Sequence, residues 1–184
     1  MRGGVAMRLG ALAALAFLTG AGNASAQWMT QKDDNPFEKT KSRWVFTAAA
    51  PSYGFGFACA GPDLQSAKIL FITAEEIDAG SAAVMSQLSP EIAVIIDDGE
   101  RFDVPASVDT VKIESASLLR LSASGEDAIK VAQAVGAARR RVSVAVTMVG
   151  QVLHPKNFGV SGSKRQIEEA IAACGIDATN RPPS

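Results

Sequence analysis

Alternation with a period of two dominates the chain. From Arg141 to Met148, Val142, Val144, Val146 and Met148 alternate with Ser143, Ala145 and Thr147, the pattern of a strand with one buried and one more polar face. In 53–60, Tyr53, Phe55, Phe57 and Cys59 share one face, while Gly54, Gly56 and Ala58 make the other. Further strands are expected at 43–49, 67–73, 91–97, 101–104, 108–113 and 118–122, separated by turn chemistry such as Pro51-Ser52 and Gly61-Pro62-Asp63. Asp98-Gly99 reads as a hairpin turn, since both residues tolerate positive φ. The bare backbone at Gly54 and Gly56 invites a close neighbour, and one of the chain's own helices is the nearest candidate.

Late in the chain the period lengthens to that of a helix, twice. Ala128, Val131, Ala132 and Val135 form one stripe after Ser124-Gly125. Ile167, Ala170, Ile171 and Cys174 form another after Ser161-Gly162. The second helix opens with a capping box, Ser163 at N-cap and Gln166 at N3, and Gly175 supplies a C-cap. The two strand–Ser-Gly–helix units are either an internal repeat or recurring turn chemistry. Residues 74–88 have room for a short helix and loop, weakened by Gly80. The fold expected is α+β: a β-rich antiparallel sandwich or rolled sheet of about eight strands with two late helices, in one domain over 43–176. A polar lead-in at 27–42 is extended or loosely ordered, and 177–184 forms a frayed tail.

The N-terminus alters the picture of where this domain resides. Arg2 and Arg8, the apolar run from Leu9 to Leu18, and Ala24-Ser25-Ala26 have the organisation of a signal peptide over 1–26. The run is too short to span a hydrocarbon core about 30 Å thick, so no stable membrane anchor is expected. The mature chain, Gln27 to Ser184, is expected to be periplasmic or secreted. Of 18 Lys and Arg and 19 Asp and Glu, only Arg2 and Arg8 fall in the leader, so the mature chain has a net charge of −3. That mild acidity argues against nucleic-acid binding, which calls for a clustered basic face. The dense basic run is Arg139-Arg140-Arg141. It either closes a helix, where cations suit the dipole, or forms a docking patch for an anionic partner.

Export also bears on the two cysteines. Cys59 and Cys174 both lie on the large-residue side of their elements, and paired cysteines are the norm in oxidising compartments. A bridge closing so long a loop stabilises by roughly 4–5 kcal/mol on chain-entropy grounds. No Cys-X-X-Cys redox spacing is present, and two cysteines with one distant histidine do not make a zinc ligand set. No cofactor is expected.

Catalytic patterns are sparse. A Ser-His-Asp triad would have to use His154, which reads as an exposed loop histidine, and no Gly-X-Ser-X-Gly elbow occurs. Asp97, Asp98 and Glu100 imitate a calcium loop but lack its alternating ligands, so turn chemistry is favoured. The helix starts after Ser-Gly lack the spacing of a P-loop or dinucleotide fingerprint. The row of Tyr53, Phe55 and Phe57 is either core or the lining of an apolar ligand pocket.

One order of residues carries a likeness. Trp28, Asn35-Pro36-Phe37 and Lys39-Thr40-Lys41 precede a strand and the lone Cys59. Then come Ile96-Asp97 before a turn, Phe158-X-Val160-Ser161-Gly162-Ser163, a helix, and Cys174-Gly175. This order resembles the small exported accessory proteins of type VI secretion systems, or a broader family of Gram-negative periplasmic domains. The second tryptophan of that pattern is replaced by Ile176. The resemblance implies a non-enzymatic protein-interaction or envelope accessory role with another envelope protein as partner. The alternatives are a small-ligand binding module using Tyr53, Phe55 and Phe57, and a hydrolase. For docking, Arg139, Arg140 and Arg141 are the candidate surface. An intact mass measured without reductant is expected to fall two hydrogens below the reduced value, and equal masses would rule the disulfide out.

Overall fold

The alternating strands form two antiparallel sheets, against which the two late helices pack. The computed structural model describes residues 27–34, 41–61 and 66–176. The leader at 1–26 and the tail at 177–184 lie outside the described residues, as do 35–40 and 62–65. The described elements are β1 (Met29–Asp34), β2 (Lys41–Ala49), β3 (Tyr53–Ala60), β4 (Lys68–Glu76), α1 (Ala79–Ser86), β5 (Glu91–Ile96), β6 (Arg101–Pro105), β7 (Ser107–Ile113), β8 (Ala116–Ser124), α2 (Glu126–Ala137), β9 (Arg141–Met148), β10 (Gln151–Gly159) and α3 (Ser163–Ala173). Six strands make one sheet in the order β1-β2-β3-β4-β8-β7, and four make the other, β10-β9-β5-β6. The protein is thus α+β and β-rich, as the alternation implied.

Register accounts for the layers. Val45, Phe55, Phe57, Ile69, Phe71, Leu119 and Leu121 point inward from the larger sheet, and Ile92, Val94, Val142, Val144 and Val146 from the smaller, all in one buried cluster. Helix α3 packs on β2 and β3, while α2 packs on β4 and β8 and reaches β5 and β6. The stripe Ala128, Val131, Ala132 and Val135 is buried throughout, as is Ile167, Ala170, Ile171 and Cys174. Cys59 on β3 is disulfide-bonded to Cys174 at the C-cap of α3, with Cα atoms 6.2 Å apart. The bridge fastens the last helix to the larger sheet.

Three local features depart from expectation, and a fourth settles a segment left open. Strand β1 arises inside the polar lead-in, because its backbone completes the sheet edge: Met29 pairs with Phe46 and Asp34 with Lys41. Strand β10 was hidden by Pro155; a bulge between Leu153 and Lys156, with His154 at φ 53°, absorbs it on an edge strand. Helix α1 forms within 74–88, where the sequence left room for a short helix, and is capped by Asp78, whose side chain accepts from the Ser81 amide. The β5–β6 turn sits one residue earlier than read, with positive φ at Asp97 and Asp98 rather than at Asp98 and Gly99. The Gly99 amide donates to Ile96 across it, at 2.8 Å.

Two further corrections concern side chains. The capping box does not form. Gly162, at φ 82°, is the N-cap of α3, and Gln166 accepts from the Thr30 hydroxyl on β1 instead. Ser163 is buried, its hydroxyl within reach of the Val135 and Val160 carbonyls at 3.2 and 3.0 Å. The close neighbour of Gly56 is not a helix but the adjacent strand. A Cβ on Gly56 would lie 2.4 Å from the Val45 carbonyl oxygen and 2.9 Å from Phe46 Cβ, whereas one on Gly54 would meet nothing nearer than 3.7 Å. Gly56→Ala is therefore expected to cost about 1–3 kcal/mol through overpacking, and Gly54→Ala less than about 1 kcal/mol. Urea unfolding of the two variants checks this, and equal losses would contradict the close approach.

Candidate functional site

The aromatic row is packed against itself. Phe55 and Phe57 are each 2% exposed. Trp28 meets Phe55 edge-on at 6.1 Å, Phe158 lies 5.8 Å from Phe55 and 6.4 Å from Phe71, and Tyr53 stacks on Phe71 at 6.2 Å. Tyr53 is half-buried, with the Lys156 ammonium 4.9 Å above its ring. The space on this face of β3 is filled by the protein's own rings, so the row reads as core.

The arginine run lies beyond the end of α2 rather than within its last turn. Asp97 accounts for this placement. Its carboxylate accepts from the backbone amides of Arg139, Arg140 and Arg141 at 2.7, 2.7 and 3.0 Å. Those bonds, led by the Arg139 amide and then that of Arg141, hold the Asp97 carboxyl below the usual carboxylate range. Arg140 donates to the Asp97 carbonyl at 2.6 Å, and Arg141 donates to the Asp98 carboxylate through Nε at 3.0 Å. Two of the three guanidinium groups are thereby committed to the β5–β6 turn. The exposed Arg139 side chain has no ion-pair partner among the described residues.

His154 is not in a loop. It sits at the bulge of β10 and pairs with Glu75 of β4, Nε2 to Oε2 at 2.6 Å. This contact joins the two sheets, and Lys156 extends it by donating to the Ala50 carbonyl. The local chemistry is that of a clasp between the edge strand β10 and the strand ends of the larger sheet.

An open recess lies between α2 and α3. Its volume is about 1070 Å3, and it opens to solvent. Buried Gly136, Ile171 and Ile176 make the floor with half-buried Val160, and Ala137 and Ala138 stand in the walls. Arg139, Lys164 and Arg165 stand on the lip, with Glu168 as the acid. Lys164 has no ion-pair partner among the described residues, and Arg165 makes only a 3.8 Å contact with Glu169. Local structure produces the recess. Ser163 ties the start of α3 to the end of α2, and the exposed Ala137 and Ala172 keep the walls low.

Of the residues singled out in the sequence, the structure brings Arg139 to this recess and leaves Arg140 and Arg141 at the turn beside it. The floor residues and Lys164 were missed. Their signal in sequence is the run Gly136-Ala137-Ala138 before the arginines and the pair Lys164-Arg165 after Ser163. Nothing in one dimension shows that these two runs meet. Among the described residues no helix is long and apolar enough to cross a membrane. No family model matches the chain, and neither a curated protein nor a solved structure does.

Asp97 also determines a pH response. Its folded pKa lies below its unfolded one, so its contribution is present above the ordinary aspartate value, about 3.9, and is lost as pH falls through the lower folded value. Asp97→Asn, which tolerates the same positive φ, is expected to be less stable than the parent at pH 7, with the gap shrinking below about pH 4. Urea midpoints of both proteins across that range test this, and a gap independent of pH would contradict it.

Proposed function

We propose that this protein is a non-enzymatic, exported interaction module, an accessory of the cell envelope that binds another envelope protein. The observation that carries the reading is the α2–α3 recess. It is an apolar floor beside two cations, Arg139 and Lys164, without ion-pair partners among the described residues. Apolar area beside unspent charge is what a docking surface offers, the first for affinity and the second for orientation. The signal-peptide pattern at 1–26 supports periplasmic or secreted placement, and the Cys59–Cys174 disulfide accords with an oxidising compartment. Within that setting, the order from Trp28 to Cys174-Gly175 supports a role like that of the type VI secretion accessory proteins it resembles.

Cross-linked pull-down of the tagged protein from its native envelope, read by mass spectrometry, is expected to recover one secretion-machine or cell-wall component repeatedly. Recovery of background alone would retire this reading and turn attention to small ligands, sought by saturable thermal stabilisation.

A further inference from the structure

We infer that the α2–α3 recess takes an acidic amphipathic helix of a partner protein. This rests on the interaction reading above and adds the chemistry of the partner. The last turn of α2 and the length of α3 line an open trough, and a third helix can settle against helix ridges at an axial distance of roughly 8–10 Å. The approach is closest where the contact residues are small, and here Ala137, Ala138 and Ala172 line the walls over Ile171 and Ile176. Apolar side chains at helical spacing would fill that floor in the helix-in-groove manner.

The lip decides the sign of the partner. Arg139, Lys164 and Arg165 stand against Glu168 on the lip and Glu169 beside Arg165, which leaves a net positive rim on a mature chain whose net charge is −3. The local field therefore opposes that of the whole molecule, so carboxylates flanking the apolar stripe would be attracted to this trough and repelled elsewhere.

Other occupants fit less well. The chain's own continuation starts beside the trough at Ile176, but Asp177 and Arg181 cancel and residues 177–184 contain no large apolar side chain. A small ligand is ordinarily buried over most of its surface, whereas this recess is open to solvent. An anionic membrane calls for apolar groups that project, and here they are sunk between the helices.

A display library of helical peptides, selected against the immobilised full-length mature chain, tests the proposal. Enriched peptides are expected to carry apolar residues at i, i+3 or i+4, and i+7 with net negative charge. Their affinity by fluorescence polarisation is expected to fall roughly tenfold or more in Ala137→Phe, and likewise in Arg139→Glu/Lys164→Glu. These positions are exposed, so unchanged melting temperatures serve as the folding control. No enrichment, enrichment of neutral or basic peptides, or binding indifferent to both variants would overturn the inference. So would variant-sensitive binding to phosphatidylglycerol vesicles instead of peptides, or a dimer that Ala137→Phe abolishes. If an envelope partner found by pull-down still binds both variants, the interaction role survives and the trough assignment falls. If neither partner nor peptide is recovered, both fall.

Discussion

Phe158 is the residue through which the two sheets become one core. It projects from β10 of the smaller sheet against Phe55 and Phe71 of the larger one, and Trp28 closes on Phe55 edge-on. Such ring pairs contribute about 0.5–1.5 kcal/mol each beyond area burial. Trp28 is held in turn by the backbone on either side of the β10–α3 turn, its indole donating to Gly159 at 2.8 Å and its amide to Ser161 at 3.2 Å. The N-terminal edge strand and the start of α3 are therefore positioned by the same contact. The disulfide acts on the same face of β3, where Cys59 follows Phe55 and Phe57, and secures the far end of α3.

Polar groups then settle the ends of elements that apolar burial leaves undetermined. One carboxylate, Asp97, takes three consecutive amides and so decides where α2 stops and β9 begins. Ser163 uses its hydroxyl between helices, close to the Val135 carbonyl of α2, which also accepts the Ala138 amide where the helix ends. Both contacts determine how the end of α2 meets the start of α3, and hence the shape of the trough. The site is a product of how these ends are finished.

This arrangement divides the arginine run by role. Arg140 and Arg141 neutralise the Asp97–Asp98 turn, while Arg139 is turned toward the recess, where Lys164 and Arg165 come from another helix. A basic triplet that looks uniform in sequence is thus two-thirds structural. What remains beside the recess is a smaller cationic lip, assembled from two segments and set against an apolar floor. On a mildly acidic chain such a lip favours orientation and partner choice over bulk attraction.

Period and composition determined much of this protein locally. The alternation of Val142 to Met148 and Tyr53 to Cys59, and the stripes ending at Val135 and Cys174, identified strands, helices and their buried faces, because side-chain direction follows from backbone repeat. The inward-facing residues of these elements, the two cysteines included, were legible for the same reason. Tertiary structure alone decided the edge strands β1 and β10, since neither carries a clean alternation and each exists because a neighbouring strand offers it a hydrogen-bonding edge. It alone turned Ser163 and Gln166 away from a cap and shifted the positive-φ pair to Asp97–Asp98. It alone joined Ala137 to Lys164 across a groove, because contact between residues far apart in sequence depends on how the helices pack and is encoded in no local pattern.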